Sequence, residues 1–131
     1  MADNYGAKQY KTTSITTANR GQVLLMLYEG AINSVKKATV CLDKKDIAGK
    51  GMAICKAHDI INELTNTLDF EIGGNIARDL ERLYTFMAEQ LIKANMENSK
   101  EPLQKVQKLL ETLLSGWRGA VEQVNKGLGK K

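Results

Sequence analysis

The sequence is poor in the residues that build metal clusters and disulfide frameworks. Its 131 residues include one His and two Cys. These are too few for a zinc site of the usual Cys/His type, for a di-iron site with two Glu-x-x-His motifs, or for a dense set of disulfides. We therefore expect no metal and no cofactor. We also expect Cys41 and Cys55 to be reduced and to lie on apolar helix faces.

Long apolar runs are also missing. The first residues, MADNYGAKQYKTT, contain no apolar stretch of the length that a signal peptide or a membrane helix needs. The formal charge is +4, with 43% hydrophobic and 26% charged residues, which is typical of a folded domain rather than a disordered chain. The composition predicts a cytoplasmic protein of about one domain, without stable membrane insertion.

Motifs for catalysis and nucleotide binding are absent as well. His58 follows Cys55 by three residues, so both side chains can share a helix face, but nothing supplies a third metal ligand. The glycines form neither a P-loop nor a dinucleotide fingerprint, and a single His makes a catalytic triad improbable. We therefore expect a protein that is not an enzyme.

A group of lysines raises the question of nucleic-acid binding. Asp43 and Asp46 dilute this group, no aromatic residues interleave it, and no helix-turn-helix pattern is present. A solvated helix end is the favoured interpretation, and we expect no nucleic-acid partner. The lysines concerned are Lys36, Lys37, Lys44, Lys45 and Lys50.

What the sequence has in abundance is helical periodicity. Four long blocks, at about 19–42, 46–68, 75–96 and 99–124, repeat apolar residues at steps of three and four, and none alternates as strands do. Asn19 and Asp46 are expected helix caps, Asp69–Gly74 an expected turn, and Pro102 marks a first turn. The pattern predicts an all-α fold, an elongated antiparallel four-helix bundle over residues 19–125. Residues 1–18 form an N-terminal arm or cap with room for a short extra helix, and 126–131 a frayed basic tail.

The first and fourth blocks carry more apolar residues than one core-facing stripe uses. If Leu24 and Tyr28 face inward, Leu25 and Ile32 point away from the core. In the fourth block, Leu109 and Leu114 similarly lie beyond the apolar stripe. Two interpretations stay open: a groove that accepts an amphipathic partner segment, or a first helix that its neighbours bury on both sides. The candidate groove residues are Leu24, Leu25, Tyr28, Ile32, Ile61, Leu64, Leu109, Leu110, Leu114 and Trp117.

One series of motifs extends over almost the whole chain, about residues 5–121. It consists of Tyr10, Thr17-Ala18, Leu27-Tyr28-Glu29-Gly30-Ala31, Leu68-Asp69 with Gly73-Gly74, Ala77, Leu80, Leu83-Tyr84, Met87, Leu91, Ala94-Asn95 and Trp117. Their order and spacing resemble the FliS family of flagellin-specific export chaperones.

The resemblance implies a bundle that holds the disordered C-terminal region of flagellin, prevents its premature polymerisation and delivers it to the flagellar type III export gate. Other flagellar regulators are further expected partners. The alternative is a helical-bundle adaptor for another secretion substrate or a flagellar regulator. The resemblance also implies that a segment around Tyr10 covers an apolar surface without cargo and contributes to gate docking with cargo. The candidate docking residues are Tyr5, Tyr10 and Ile15. Tyr10 as a permanent packing lid on the bundle is the other interpretation.

Overall fold

The structure, a computed structural model, contains four α-helices joined by short connections. It describes residues 17–129, and side chains from residue 20 to residue 127. The helices are α1 (Thr17–Asp43), α2 (Ile47–Asn66), α3 (Phe70–Glu97) and α4 (Lys100–Gly129). None of these helices has an apolar stretch long enough to cross a membrane. The predicted all-α four-helix fold is confirmed.

Local signals in the sequence explain where the helices begin and end. The Asp46 side chain accepts a hydrogen bond from the Gly49 backbone N–H at the start of α2, as its predicted capping role requires. Asp69 caps α3 in the same way, and Asn98 ends α3 in a left-handed conformation with φ of 50°. Pro102 lies in the first turn of α4, where its missing N–H costs no helical hydrogen bond.

Four local expectations differ from the structure. Helix α1 begins at Thr17, so Asn19 lies inside the helix instead of capping it. Helix α4 continues to Gly129, past the expected bundle limit at residue 125. The expected turn at 69–74 contains a capping residue and one helical turn before a break at Gly74. Cys41 is buried as expected, but Cys55 is exposed, because it lies on the outer face of α2.

The helices pack as a square in which α1 contacts α2 and α4, and α3 contacts the same two helices. In this arrangement α1 and α3 lie across the diagonal. The hydroxyl groups of Tyr28 on α1 and Tyr84 on α3 hydrogen-bond across it, with ring centroids 6.4 Å apart. The core is a continuous cluster of buried side chains. Its largest fully buried members are Tyr28, Tyr84, Ile61, Leu64, Met87, Leu91, Leu103, Leu110, Val35 and Val106.

The two ends of the bundle differ. At the end that contains the α1–α2 and α3–α4 connections, the Lys50 side chain is only 3% exposed. Its Nζ donates to the Asn95 carbonyl at 3.0 Å and to Asn98 Oδ1 at 2.6 Å, so it satisfies carbonyl groups at the C-terminus of α3. Lys100 and Asp43 join the two connections with a 2.7 Å ion pair. The opposite end contains the α2–α3 connection, the start of α1 and the last turns of α4.

Candidate functional site

Six of the ten candidate groove residues lie in the core, which corrects the expectation that they form an open surface. Helix α1 packs against both α2 and α4, so Ile32, expected to point away, is covered. Leu114, expected beyond the stripe of α4, is covered in the same way. The six core residues, each 5% exposed or less, are Tyr28, Ile32, Ile61, Leu64, Leu110 and Leu114.

The other four candidates, Leu24, Leu25, Leu109 and Trp117, are partly exposed and pack on the core from outside. Of these four, Leu24 and Trp117 line two shared cavities in the part of the chain that the structure describes. Leu25 lines a separate, mainly polar cavity of about 370 Å³ with Arg118 and Lys126. Tyr5, Tyr10 and Ile15, the candidate gate-docking residues, lie outside the described residues.

Leu24 and Trp117 belong to an apolar depression at the end of the bundle with the α2–α3 connection, which we call the end groove. Its cavity of about 260 Å³ is larger than the roughly 150 Å³ apolar cavity that takes up benzene, so a large apolar side chain fits inside. A second cavity of about 180 Å³ between α1 and α4 shares Leu24 and Trp117 and extends the depression. The end groove is lined mainly by Leu24, Leu68, Ile72, Ile76, Leu80 and Trp117.

Two glycines allow the helices to take these positions around the end groove. A Cβ added to Gly21 on α1 would lie 2.9 Å from Val121 Cγ2, so only glycine allows this approach of α1 to α4 without displacement. Gly74 interrupts α3 with φ of 53° and ψ of −124°, a conformation that residues with a Cβ rarely adopt. Ile72 lies before this break and Ile76 lies after it, and both line the groove.

The floor of the end groove is uncharged. Tyr84 lines it and hydrogen-bonds to Tyr28. Burial raises the pKa of Tyr84 far above its ordinary value. The hydrogen bond to Tyr28 and the electrostatic effect of the nearby Tyr28 phenol raise this pKa further. Burial also raises the pKa of Tyr28, and the hydrogen bond to Tyr84 and the nearby polar N–H of the Trp117 indole only partly offset this effect. Both phenols therefore remain neutral at physiological pH.

Trp117 offers a polar atom among these apolar residues. Within the described residues its Nε1 is buried without a hydrogen-bond partner of normal geometry. Its ring lines both cavities of the groove. Thr67 and Asp69 also line the groove, and the Asp69 carboxylate accepts hydrogen bonds from the backbone N–H groups of Glu71 and Ile72. A groove with a neutral floor and mainly apolar walls is suited to binding apolar side chains.

The remaining candidate sites do not form clusters. Among the described residues no group of three or more His, Cys, Asp or Glu side chains is placed to hold a metal ion. His58 Nδ1 lies 3.3 Å from the side-chain nitrogen of Asn62, which is one turn further along the same helix. Lys50, counted with the lysine cluster, is buried against Asn95 and Asn98, so it is not available to a phosphate.

Sequence reasoning missed Leu68, Ile72 and Ile76, which complete the end groove. Ile76 lies on the apolar stripe of the third block, which predicts that it faces the core. It is nevertheless 68% exposed, because it lies near the end of the bundle. Ile72 is 87% exposed and lies within the expected turn. The available signal was the exceptional density of apolar residues around the Gly73-Gly74 pair, where a turn is usually polar.

Comparisons with known proteins identify a consistent group of relatives. The family model described as "Flagellar protein FliS" matches residues 1–124. A Flagellar secretion chaperone FliS of Salmonella typhimurium is 35% identical over 118 residues, which cover 86% of this chain and 87% of that protein. A Flagellar secretion chaperone FliSB of Pseudomonas aeruginosa is 36% identical over 116 residues, covering 86% of this chain and 92% of that protein.

A solved structure is similar as well. It is described as the crystal structure of a flagellar chaperone from bacteria, and it superposes with a TM-score of 0.75 at 22% sequence identity. The similarity covers 92% of this chain and 98% of the solved chain. At this level of identity the superposition establishes the bundle fold.

Proposed function

Because the chain belongs to the FliS family of flagellar secretion chaperones, we propose that it binds the C-terminal region of flagellin in the cytoplasm. Holding this region prevents premature polymerisation, and the complex then delivers flagellin to the flagellar type III export gate. Binding needs no cofactor, because the affinity comes from burying apolar side chains.

The end groove is the observation that carries this proposal. It presents Leu24, Ile76 and Trp117 on three helices around one opening, and its walls are mainly apolar. An amphipathic segment that becomes helical on binding places anchors at steps of three and four into such a groove. A disordered segment loses conformational entropy when it orders, which keeps the complex releasable at the export gate.

The N-terminal arm, residues 1–18, joins the bundle close to the end groove. Helix α1 begins at Thr17, about two turns before Leu24. Tyr10 precedes Thr17 by seven residues, and an extended chain spans about 3.3–3.6 Å per residue, so Tyr10 can reach roughly 25 Å from the helix start. We propose that the arm, through Tyr5, Tyr10 and Ile15, covers the groove without cargo and contributes to gate docking when cargo is bound.

The binding proposal is tested by titrating the purified chain with a flagellin C-terminal peptide. Calorimetry measures the affinity and circular dichroism measures the helicity that the peptide gains. We expect micromolar or tighter binding together with increased helicity. Ile76→Lys should weaken it about tenfold or more, because a charge replaces an apolar wall residue.

Ile92→Lys is the matched control, since Ile92 is a half-exposed isoleucine of the same helix outside the end groove. It should bind like the unaltered chain. No binding by the unaltered chain at micromolar concentrations would overturn the proposal. Binding of a different export substrate instead would favour the adaptor function.

The docking proposal for the arm is tested separately with Tyr10→Ala. We expect this variant to retain its affinity for the flagellin peptide and to lose association with the export-gate protein, measured by pull-down of the loaded complex. An equal loss of both activities would show that Tyr10 packs permanently on the bundle or belongs to the cargo site.

A further inference from the structure

The first turn of α3, residues Phe70–Gly73, is set off from the rest of the helix by a break in the backbone angles at Gly74. Gly74 interrupts the helix directly after it. The hydrogen bonds recorded at its start are local: Asp69 Oδ1 accepts from the backbone N–H groups of Glu71 at 3.0 Å and Ile72 at 3.1 Å, and the Asp69 carbonyl accepts from Gly73 at 2.7 Å. These three bonds all lie before Gly74, so a change in the Gly74 backbone angles leaves them in place.

The same turn exposes large apolar side chains beside the end groove. Ile72 is 87% exposed and Phe70 is 41% exposed, although both belong to a described helix. Ile72 and Gly73 line the groove, opposite Leu24 and Trp117. Exposed apolar side chains on the wall of an apolar groove gain free energy when a bound molecule covers them.

We propose that the Phe70–Gly73 turn is a movable wall of the end groove, which rotates about Gly74 and closes on a bound apolar helix with Ile72 as its contact residue. This inference rests on the proposed function, because it takes the amphipathic flagellin segment as the occupant. Closure brings Ile72 from solvent onto the segment and slows its dissociation.

Gly74 has the properties of a hinge. Its φ of 53° lies in the region that favours glycine, and a Cβ added there would have no heavy atom within 4 Å. An alanine at this position is therefore disfavoured by the backbone conformation and not by a clash. Gly73 allows the backbone to pass close to the Ala77 side chain, since a Cβ added to Gly73 would lie 2.9 Å from Ala77 Cβ.

The first test uses Ile72→Ala and follows dissociation of the flagellin peptide by stopped-flow fluorescence. Because Ile72 is exposed in the free protein, the thermal midpoint should not change, while the dissociation rate should rise about tenfold. Ile92→Ala, on the same helix and outside the end groove, is the matched control and should dissociate like the unaltered chain.

The second test alters the backbone at the hinge position itself. Gly74→Ala should raise the dissociation rate by a similar factor. Gly116→Ala is the control and should leave this rate unchanged, because it also adds a methyl group in open space, on α4, but at a residue without a positive φ. Hydrogen exchange of residues 70–74 should slow when the peptide binds the unaltered chain.

These measurements distinguish failure of the hinge from failure of the proposed function. Peptide binding with unchanged dissociation rates in both Ile72→Ala and Gly74→Ala overturns the movable wall and leaves the chaperone function standing. Unchanged exchange at residues 70–74 in the complex also contradicts it. Absence of peptide binding by the unaltered chain overturns the proposed function, and the movable wall with it.

Discussion

The buried tyrosine pair provides the sharpest test of how this bundle is held together. Tyr28 and Tyr84 are 0% and 1% exposed, and their hydroxyl groups hydrogen-bond to each other across the diagonal of the bundle. Tyr28→Phe removes one hydroxyl and leaves that of Tyr84 buried without this partner. We expect a loss of stability of about 1–3 kcal/mol, the cost of an unsatisfied buried polar group.

The double variant, Tyr28→Phe with Tyr84→Phe, should have a free energy of unfolding closer to that of the unaltered chain than the single variant has. Removing both hydroxyls leaves no polar group to satisfy, and the aromatic rings still fill the same space. The structure therefore predicts strong non-additivity between two residues whose backbones lie on helices that are not neighbours.

Urea unfolding followed by circular dichroism measures these free energies. For a domain of this size a loss of 1 kcal/mol lowers the melting temperature by about 4 °C. The single variant should therefore melt roughly 4–12 °C below the unaltered chain. A single variant within about 0.5 kcal/mol of the unaltered chain, or a double variant that loses the sum of two single losses, would refute the reasoning.

Two further predictions concern ionisable groups. Because burial raises the pKa of both tyrosines above the ordinary value of 10.0, the folded state retains protons that the unfolded chain releases at high pH. The contribution of this pair to the free energy of unfolding should therefore be constant below about pH 9 and fall above pH 10. Urea unfolding at several pH values should show a shallower fall for the double Phe variant. Lys50→Met should cost about 1–3 kcal/mol, because it leaves the Asn95 carbonyl and the Asn98 side chain without their donor. Lys56→Met, an exposed lysine of the same helix, should change stability by less than about 0.5 kcal/mol, and equal losses in the two variants would contradict the capping role of Lys50.

Helices could be predicted from the sequence because their signals are local. Apolar residues at steps of three and four outline the buried face of each helix, and Asp46 caps α2 as expected. The ends were less certain: α1 begins two residues before Asn19, and α4 continues beyond residue 125. End positions depend on packing against neighbouring helices, which periodicity does not describe.

The groove could be predicted only in part. Leu24 and Trp117, two of the candidate residues, line this cavity, whereas Ile32 and Leu114 were expected outside the main stripes and are buried. A helix that contacts two neighbours buries a wider arc than a single stripe, so an apparent apolar surplus is absorbed by the core. Ile76 shows the reverse, since its place on the stripe does not protect it near the end of the bundle.

The sequence by itself determined the class of fold, four helices with short connections, and the resemblance to the FliS family, because both depend on the order and spacing of residues along the chain. The tertiary structure decided which apolar residues remain accessible, because accessibility depends on where neighbouring helices stop. It also decided the pairing of Tyr28 with Tyr84 and the separation of the Phe70–Gly73 turn at Gly74. Contacts between distant residues and the backbone angle of one glycine follow from the packing of all four helices.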